Sequence, residues 1–412
     1  MKYGLIGRKL SHSFSPEIHG KIGDYKYELF SLEEEQLESF MKKRDFFGIN
    51  VTIPYKSAVI PYLDFVDEEA RTIGAVNTVV KRDGQLYGYN TDVTGLTMLI
   101  TRVCGSTLDG KALVLGTGGT SLTAVYALKK LGVKEIYRVS RGVKDGCITY
   151  EDALKHHSDA KYVINTTPCG MYPNVYETPI DISAFTSLKG VVDAIFNPIS
   201  TPLVRKAKEM GVASEGGLFM LVSQAVAAYC HFFDKEADFG ICSKIYEEIL
   251  KEKQNIVLVG MPSSGKSSVG KELSALTGKP FYDSDEVIKE KAGMEIPEIF
   301  EKYGEKHFRA LESEAIFELS KKSGVIIATG GGAVLKSENV DALKANGIIV
   351  FLDRPENMLT PTSDRPLSSD IEALKKRYNE RYPIYTAVSD MTVPSVSDVK
   401  TVAKMVEEQW KK

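Results

Sequence analysis

The stretch Val259-Gly-Met-Pro-Ser-Ser-Gly-Lys-Ser-Ser268 decides the fold of the second half of this 412-residue chain. Gly260, Gly265, Lys266 and Ser267 fill every defined position of the pattern G-x-x-x-x-G-K-[ST]. Asn255–Gly260 reads as a strand entering the loop and Ser268–Leu276 as a helix leaving it. Backbone amides of such a loop cradle phosphates, its lysine reaches the β- and γ-phosphates, and its hydroxyl ligates magnesium. Gly260, Ser263, Gly265, Lys266, Ser267 and Ser268 are therefore the expected nucleotide-binding residues, with Ser267 also an expected metal ligand. A chance glycine turn is the competing reading.

Downstream, Phe281-Tyr-Asp283-Ser-Asp285 closes the next strand with two carboxylates. One can serve the magnesium shell and the other receive a hydroxyl proton. Helix capping is the bland alternative, and it suits Asp283 better than both residues together. His307-Phe-Arg309-Ala-Leu-Glu312, Thr329-Gly330-Gly331-Gly332, Asp364-Arg365-Pro-Leu367 and Glu380-Arg381-Tyr-Pro-Ile-Tyr385 follow.

Upstream stands a second glycine loop of different design, Leu115-Gly116-Thr-Gly118-Gly119-Thr-Ser121. It lies between a strand at Lys111–Leu115 and a helix running to about Leu131. That is the place of a Rossmann fingerprint, although Ser121 fills the third glycine position. A tight strand–helix turn explains the loop equally well on its own. The next strand, Glu135–Ser140, ends in Ser140-Arg141 with Lys144 just beyond. An NAD site usually carries Asp or Glu there, whereas a guanidinium and an ammonium suit a 2′-phosphate, which favours NADP. Lys144 is also readable as a solvated surface lysine.

Composition sets the outer limits. Hydrophobic residues make up 43% and charged residues 26%, as in a soluble globular protein. A formal charge of −3 gives no broad attraction for nucleic acid or anionic membrane. No apolar run is long enough to span a bilayer. The first twenty residues mix charge with apolar positions, unlike a secretory signal. The five cysteines, Cys104, Cys147, Cys169, Cys230 and Cys242, form no Cys-x-x-Cys pair and read as reduced thiols of a cytoplasmic protein.

Strand-like runs alternate with helical stretches throughout, the α/β signature. Further strands are expected at Lys2–Gly7, Tyr25–Leu32, Phe47–Ile53, Tyr162–Asn165 and Gly190–Asp193. Helices are expected at Glu33–Arg44, Asp92–Cys104, Gly216–Phe233 and Ser243–Glu252. The junction 246–254 has no Gly, Pro or Ser and reads as a charged helix end, so a restricted geometry between the halves is expected.

Small polar clusters precede the first glycine loop: Ser11-His-Ser13-Phe-Ser15-Pro-Glu17, Asn50-Val-Thr52-Ile-Pro-Tyr-Lys56, Gly74-Ala-Val-Asn77-Thr78 and Tyr89-Asn-Thr-Asp92. Singly, each has a bland reading. Ser15 would cap a helix beginning at Pro16, Lys56 would be a surface lysine, Asn77 a turn residue and Asp92 an N-cap. In order, and with Asn165-Thr-Thr-Pro-Cys-Gly-Met171 and Gly217-Leu-Phe-Met-Leu-Val-Ser-Gln224, they resemble shikimate dehydrogenase over residues 1 to about 250. The resemblance implies NADPH-dependent reduction of 3-dehydroshikimate to shikimate. It implies Ser13 and Ser15 on the substrate carboxylate, and Thr52, Asn77, Asp92 and Gln224 on ring oxygens. Lys56, paired with Asp92, would be the general acid. Gly116, Gly118, Gly119, Ser140, Arg141, Lys144 and Gly217 would form the cofactor site. In Val192-Asp-Ala-Ile-Phe196-Asn-Pro198 the family usually shows Tyr where Phe196 stands, so one hydroxyl near the reacting atoms is missing.

The second set of motifs resembles shikimate kinase over residues 255 to 412. That implies ATP and Mg2+, with Asp285 as base on the acceptor hydroxyl and Asp283 serving the metal. Arg309 and Arg381 would grip the shikimate carboxylate as charge-assisted forks, with Glu312 buttressing Arg309. Gly331 and Gly332 would approach the substrate, and Arg365 would close on a lid beside Lys266. A surface salt bridge is the bland reading of each arginine. Leu359 stands where the family commonly places an arginine against adenine, so weaker or less selective nucleotide binding is expected.

The expected architecture is α/β in three lobes. A mixed-sheet substrate domain (residues 1–95, completed by helices within 217–250) contains a Rossmann NADP-binding domain (96–216). A P-loop kinase domain with a parallel sheet (253–412) follows. Two other readings are a dehydrogenase with a merely nucleotide-binding C-terminal module, and an NAD-dependent oxidation of quinate or shikimate.

Overall fold

The computed structural model describes residues 2–10, 13–360 and 371–411. The chain divides into two compact units, one of Met1–Met171 with Glu177–Ile249, the other of Tyr172–Tyr176 with Leu250–Lys412. The expected helix end at the junction is the last part of a helix over Ile241–Lys253, after which Asn255–Val259 begins a strand.

The first unit holds two six-stranded sheets. One is mixed. Tyr3–Gly7 runs parallel to Tyr27–Ser31 and Gly48–Val51, while Thr78–Arg82 pairs antiparallel to Gly48–Val51 and to Gln85–Tyr89. The strand expected over Phe47–Ile53 is only Gly48–Val51. Its pairing with Tyr3–Gly7 ends at the Thr52 amide, which donates to Ile6 O (2.9 Å), and Pro54 has no amide to continue it.

The other sheet is wholly parallel, ordered Ala213–Glu215, Gly190–Asp193, Tyr162–Asn165, Lys111–Leu115, Glu135–Ser140, Ile148–Thr149. The chain enters at Lys111–Leu115, moves outward in one direction, then returns to build the other side. The crevice where the order reverses lies at the C-terminal ends of Lys111–Leu115 and Tyr162–Asn165, where such sheets take ligands. The central strands are buried along Ala112–Leu115 and Tyr162–Asn165, with Asn165 the polar residue at the crevice end, as helices on both faces require.

Helices Thr91–Cys104 and Leu218–Phe233 pack closely because Gly95 lacks a side chain. A Cβ there would stand 2.5 Å from Met220 O and 3.0 Å from Gln224 Cβ. One helix start differs from expectation. Ser15 is the first residue of the helix Ser15–Ile22 and Phe14 its cap residue, with no side-chain cap bond. The Ser15 hydroxyl instead takes a hydrogen bond from Ser13.

The second unit has one parallel five-stranded sheet, ordered Phe281–Asp283, Ile326–Ala328, Asn255–Val259, Gly347–Asp353, Met391–Pro394. Alternation along Asn255–Val259 sends Val257 and Val259 into one core with Ile327, Ile349 and Phe351. Ile256 and Leu258 face the opposite core with Ile326, Val350 and Val393. The central strand thus delivers the phosphate-type loop from a backbone fixed on both faces.

Candidate active sites

In the first unit, Lys56 Nζ lies 2.5 Å from Asp92 Oδ2, and both side chains are more than two-thirds buried. Asp92 sits in the first turn of Thr91–Cys104 while Asn90 occupies the cap position, so the capping reading of Asp92 does not hold. The surface reading of Lys56 fails for the same contact. An ammonium held by a carboxylate can both stabilise negative charge on an adjacent oxygen and hand it a proton.

Asn77 is buried. Its Nδ2 donates to Thr91 Oγ1 (3.0 Å) and its Oδ1 accepts from the Thr91 amide (2.6 Å). One Nδ2 hydrogen remains beyond those bonds. Gln224 Oε1 is 3.5 Å from Thr91 Oγ1, and Nε2 donates to Leu221 O (2.9 Å). Thr91 thereby gathers Asn77 and Gln224 beside Asp92. Ser13 and Ser15 form their own pair, Oγ to Oγ at 3.1 Å. Thr52 lies against Gly7, where a Cβ would meet Thr52 Cγ2 at 2.5 Å.

Sequence reasoning missed the layer beneath. Tyr27 donates to Asn50 Oδ1 (2.8 Å), and Asn50 donates to Asn77 O (3.2 Å) and Thr78 Oγ1 (3.0 Å). These residues form a buried polar chain supporting Asn77. Asn50 and Thr78 were visible only as flanks of the clusters.

At the parallel sheet's crevice, Gly118 is the cap residue of the helix Gly119–Lys130 and offers no side chain to its first amides. A Cβ on Gly118 or Gly119 would meet nothing of the protein within 4 Å, so the helix start is open to an incoming anion. Ser140 is buried and donates to Gly142 O, while Arg141 and Lys144 are exposed at the end of Glu135–Ser140. Gly217 precedes the helix bearing Gln224, and a Cβ there would strike Ala194 O. Phe196 meets Phe14 edge-on, centroids 5.5 Å apart.

In the second unit, Gly265 (φ +91°) turns the loop into the helix Lys266–Thr277, which starts two residues before expectation. Lys266 is buried, its Nζ donating to Gly260 O (3.0 Å) and Met261 O (2.9 Å). Ser263 donates to Thr360 O (2.7 Å), and Ser268 is exposed in the helix's first turn. Ser267 donates to Asp283 Oδ2 (2.6 Å), and Asp283 Oδ1 caps the next helix through the Asp285 amide (3.0 Å). Asp283 is therefore a cap and a partner of Ser267 at once. Hydroxyl and carboxylate are hard oxygen donors of the kind Mg2+ takes with phosphate and water. Among the described residues, no group of three or more His, Cys, Asp or Glu is placed to hold a metal by itself.

The glycine run Gly330–Gly332 is where the second site converges. A Cβ on Gly330 would lie 2.8 Å from Glu312 Oε1 and 2.9 Å from Asp285 Oδ1. Gly331 O accepts from Arg381 (3.0 Å) and from the Tyr385 hydroxyl. The Arg309 guanidinium packs on Gly332 so closely that any Cβ would collide with it. Arg309 also pairs with buried Glu312 (2.8 Å) and with Glu305 (3.1 Å). Burial pushes the Glu312 carboxyl up, and Arg309 pulls it back down. Arg309 thus has both an exposed ion pair, with Glu305, and a buried one, with Glu312, while Arg381 is buried on the Gly331 carbonyl. Ser284, which takes the Gly330 amide (2.9 Å), was not singled out from sequence. Arg365 lies outside the described residues. Leu359 does not face outward but is buried with Phe351, Leu374 and Tyr385.

The two pockets define a dehydrogenase with a Rossmann-type cofactor crevice joined to a P-loop kinase. Comparison with known proteins agrees. Residues 5–79 match the family model of the shikimate dehydrogenase substrate binding domain, and residues 262–411 match that of shikimate kinase. A shikimate dehydrogenase (NADP(+)) of Clostridium beijerinckii is 40% identical over 243 residues, 55% of this chain and 89% of the relative. Shikimate dehydrogenase 1 of Peptoclostridium difficile superposes with a TM-score of 0.55 at 36% identity, over 60% of this chain and 98% of that one. A shikimate 5-dehydrogenase of Thermus thermophilus, solved with NADP(H) and shikimate, gives 0.54 at 29% identity, over 60% and 99%. The chain belongs to the shikimate dehydrogenase family and carries a shikimate kinase domain behind it. It is an enzyme, an oxidoreductase and a kinase in one polypeptide. No described helix is long and apolar enough to cross a membrane.

Proposed function

We propose that the chain carries out two consecutive reactions, reduction of 3-dehydroshikimate to shikimate with NADPH and phosphorylation of shikimate to shikimate 3-phosphate with ATP. A cytoplasmic place in aromatic amino acid biosynthesis goes with this reading. The observation that carries it is the presence of two different acid–base centres, the Lys56–Asp92 ion pair in the unit that holds the open glycine loop at Gly118–Gly119, and Asp285, whose amide binds the Asp283 carboxylate that Ser267 of the phosphate-type loop also meets. The domain limits that follow are 1–95 with 217–250 for substrate, 96–216 for NADP and 253–412 for the kinase.

In the first reaction Ser13 and Ser15 hold the carboxylate, while Thr52, Asn77, Asp92 and Gln224 hold ring oxygens. Asn77 and Gln224 are pre-set by Thr91. NADPH supplies the hydride. Lys56 gives its proton to the carbonyl oxygen as negative charge builds there, and Asp92 keeps the ammonium aimed and then favours its re-protonation. Gly116, Gly118, Gly119 and Gly217 bring backbone close to the cofactor, and Ser140, Arg141 and Lys144 lie where a 2′-phosphate is read. Arg141 favours NADP over NAD and so the reductive direction.

In the second reaction Arg309 and Arg381 grip the shikimate carboxylate, and Gly331 and Gly332 let the ring approach. Asp285 takes the acceptor hydroxyl's proton. ATP supplies the phosphoryl group, with Mg2+ served by Ser267 and Asp283. Gly260, Ser263, Gly265 and Ser268 frame the phosphates, and Lys266 with Arg365 places positive charge at the transferring group.

The test is a single reaction holding 3-dehydroshikimate, NADPH and Mg-ATP. Shikimate 3-phosphate is the expected product. Lys56→Ala should stop the sequence before shikimate, and Lys266→Ala should let shikimate accumulate. Faster turnover of quinate with NAD than of 3-dehydroshikimate with NADPH would overturn the first half. Absence of ATP consumption on shikimate would overturn the second.

A further inference from the structure

At the C-terminal edge of the parallel sheet, one fully buried carboxylate is used by neither reaction. Asp193 ends the strand Gly190–Asp193. Its Oδ1 accepts from Asn165 Nδ2 (3.0 Å) and the Ile195 amide (3.0 Å), and its Oδ2 accepts from the Thr201 hydroxyl (2.7 Å). Removing a carboxylate from water is costly, and three donors offset only part of it. Accordingly burial raises its pKa to about 6 against the pull of those hydrogen bonds. A group held at that penalty has to be set against what it arranges.

Its partners lead to both halves of the dehydrogenase site. On the cofactor side, Asn165 Oδ1 accepts from the amide and hydroxyl of Thr167 (3.0 and 2.7 Å). The adjacent Thr166 donates to Leu115 O (2.6 Å) and packs on Gly116, whose Cβ would stand 2.8 Å from Thr166 Oγ1. Asp193 is thereby two residues removed from the fingerprint loop. On the substrate side, Asp193 pins both ends of the segment 194–201 through Ile195 and Thr201. That segment gives Ile195 O to the Gly217 amide (2.8 Å), at the start of the helix bearing Gln224. It also lays Phe196 against Phe14, between Ser13 and Ser15.

Resting on the functional reading above, we propose that Asp193 is the positioning residue that sets the register between the nicotinamide side and the substrate side of the dehydrogenase pocket. It touches no reactant. It holds the cofactor-side loop, through Asn165, and the substrate-side segment, through Ile195 and Thr201, on the two oxygens of one carboxylate. Misalignment of donor and acceptor acts on the chemical step more than on either binding step.

The experiment is steady-state kinetics of the full chain with NADPH and with NADPH deuterated at the transferred position, alongside NADPH binding by fluorescence. For Asp193→Ala, kcat should fall about tenfold or more, with NADPH affinity and substrate KM within about threefold of wild type. The isotope effect on kcat should rise, a change that simple loss of folded protein does not produce. Asp193→Asn keeps an acceptor oxygen for Asn165 and Ile195, and its Nδ2 donates to a rotated Thr201 hydroxyl, so it should restore most of kcat. If the alanine variant does not fold, Thr201→Val, which removes one of the three bonds, should show a smaller fall with the same rise in isotope effect. Wild-type kcat and isotope effect in a folded variant overturn this proposal alone. A wild-type chain that does not oxidise NADPH with 3-dehydroshikimate overturns the functional reading as well.

Discussion

Around Lys56 the first pocket is built from hydroxyls and side-chain amides with a single ion pair, whereas around Asp285 the second is ringed by Arg309, Arg381 and Glu312. If both hold the same ring acid, they do so by opposite means. The first must leave its carboxylate substrate beside one ammonium that gives up a proton, and further cations there would repel that ammonium and compete with it for Asp92. The second gathers a carboxylate, a triphosphate and a carboxylate base at close range, and fixed guanidinium charge offsets that repulsion. The electrostatics of each pocket follow from what else has to stand in it.

The largest effect is expected at the Lys56–Asp92 pair. Lys56→Ala should lower dehydrogenase kcat by about 10³-fold, within the range for loss of a general acid, and leave phosphorylation of added shikimate unchanged. Next comes charge in the second pocket. Arg381→Ala should lower kinase kcat/KM for shikimate by about a hundredfold, since truncating one partner of a buried charge contact costs about 2–5 kcal/mol. The dehydrogenase KM for the same acid should not move. A smaller effect is expected at Gly332. Gly332→Ala collides with the Arg309 guanidinium, which must shift, and shikimate KM should rise about tenfold while ATP KM stays within about twofold.

The smallest effects are on stability, and they carry opposite signs in the two units. Asp193 has a folded pKa raised to about 6, so its contribution is present below the unfolded carboxylate range and lost as pH rises through 6. Lys279 is the reverse. Burial lowers its pKa to about 8, so its contribution is present above the unfolded lysine value and lost as pH falls through 8. In scanning calorimetry the first unit's transition in wild type minus that in Asp193→Asn should move down from pH 4 to 6.5, the subtraction removing the opposite slope of buried His19, whose pKa burial lowers to about 3, and the second unit's transition should move up from pH 8 to 10. Lys279→Met should remove the second slope.

The phosphate-type loop was legible because its chemistry is local. Strand, loop and helix are contiguous, and the pattern leaves Gly265, Lys266 and Ser267 no other common use. The short carboxylate–hydroxyl contact of Asp283 and Ser267 was anticipated only as roles for separate residues. Asp193 with its donors Asn165 and Thr201 was not legible, because two strand ends and a helix cap bring them together and no spacing records it. Lys279 was hidden for the same reason. Its ammonium closes three carbonyls, of Lys251, Glu252 and Gln254, after a helix that reads in sequence only as a charged end. Ser15 was misplaced by a single residue at a helix start, a boundary decided by its hydrogen bond with Ser13 and not by propensity.

The inward turn of Leu359 has a consequence of its own. Its side chain shares a core with Tyr385, whose hydroxyl steadies the Gly331 carbonyl, while the next residue, Thr360, offers its carbonyl to Ser263 of the phosphate loop. The chain at this point is moored on one side to the acceptor pocket and on the other to the donor loop. A smaller residue at 359 would slacken both moorings together, so damage to nucleotide handling and to shikimate handling should arrive as one phenotype from a position that touches neither ligand.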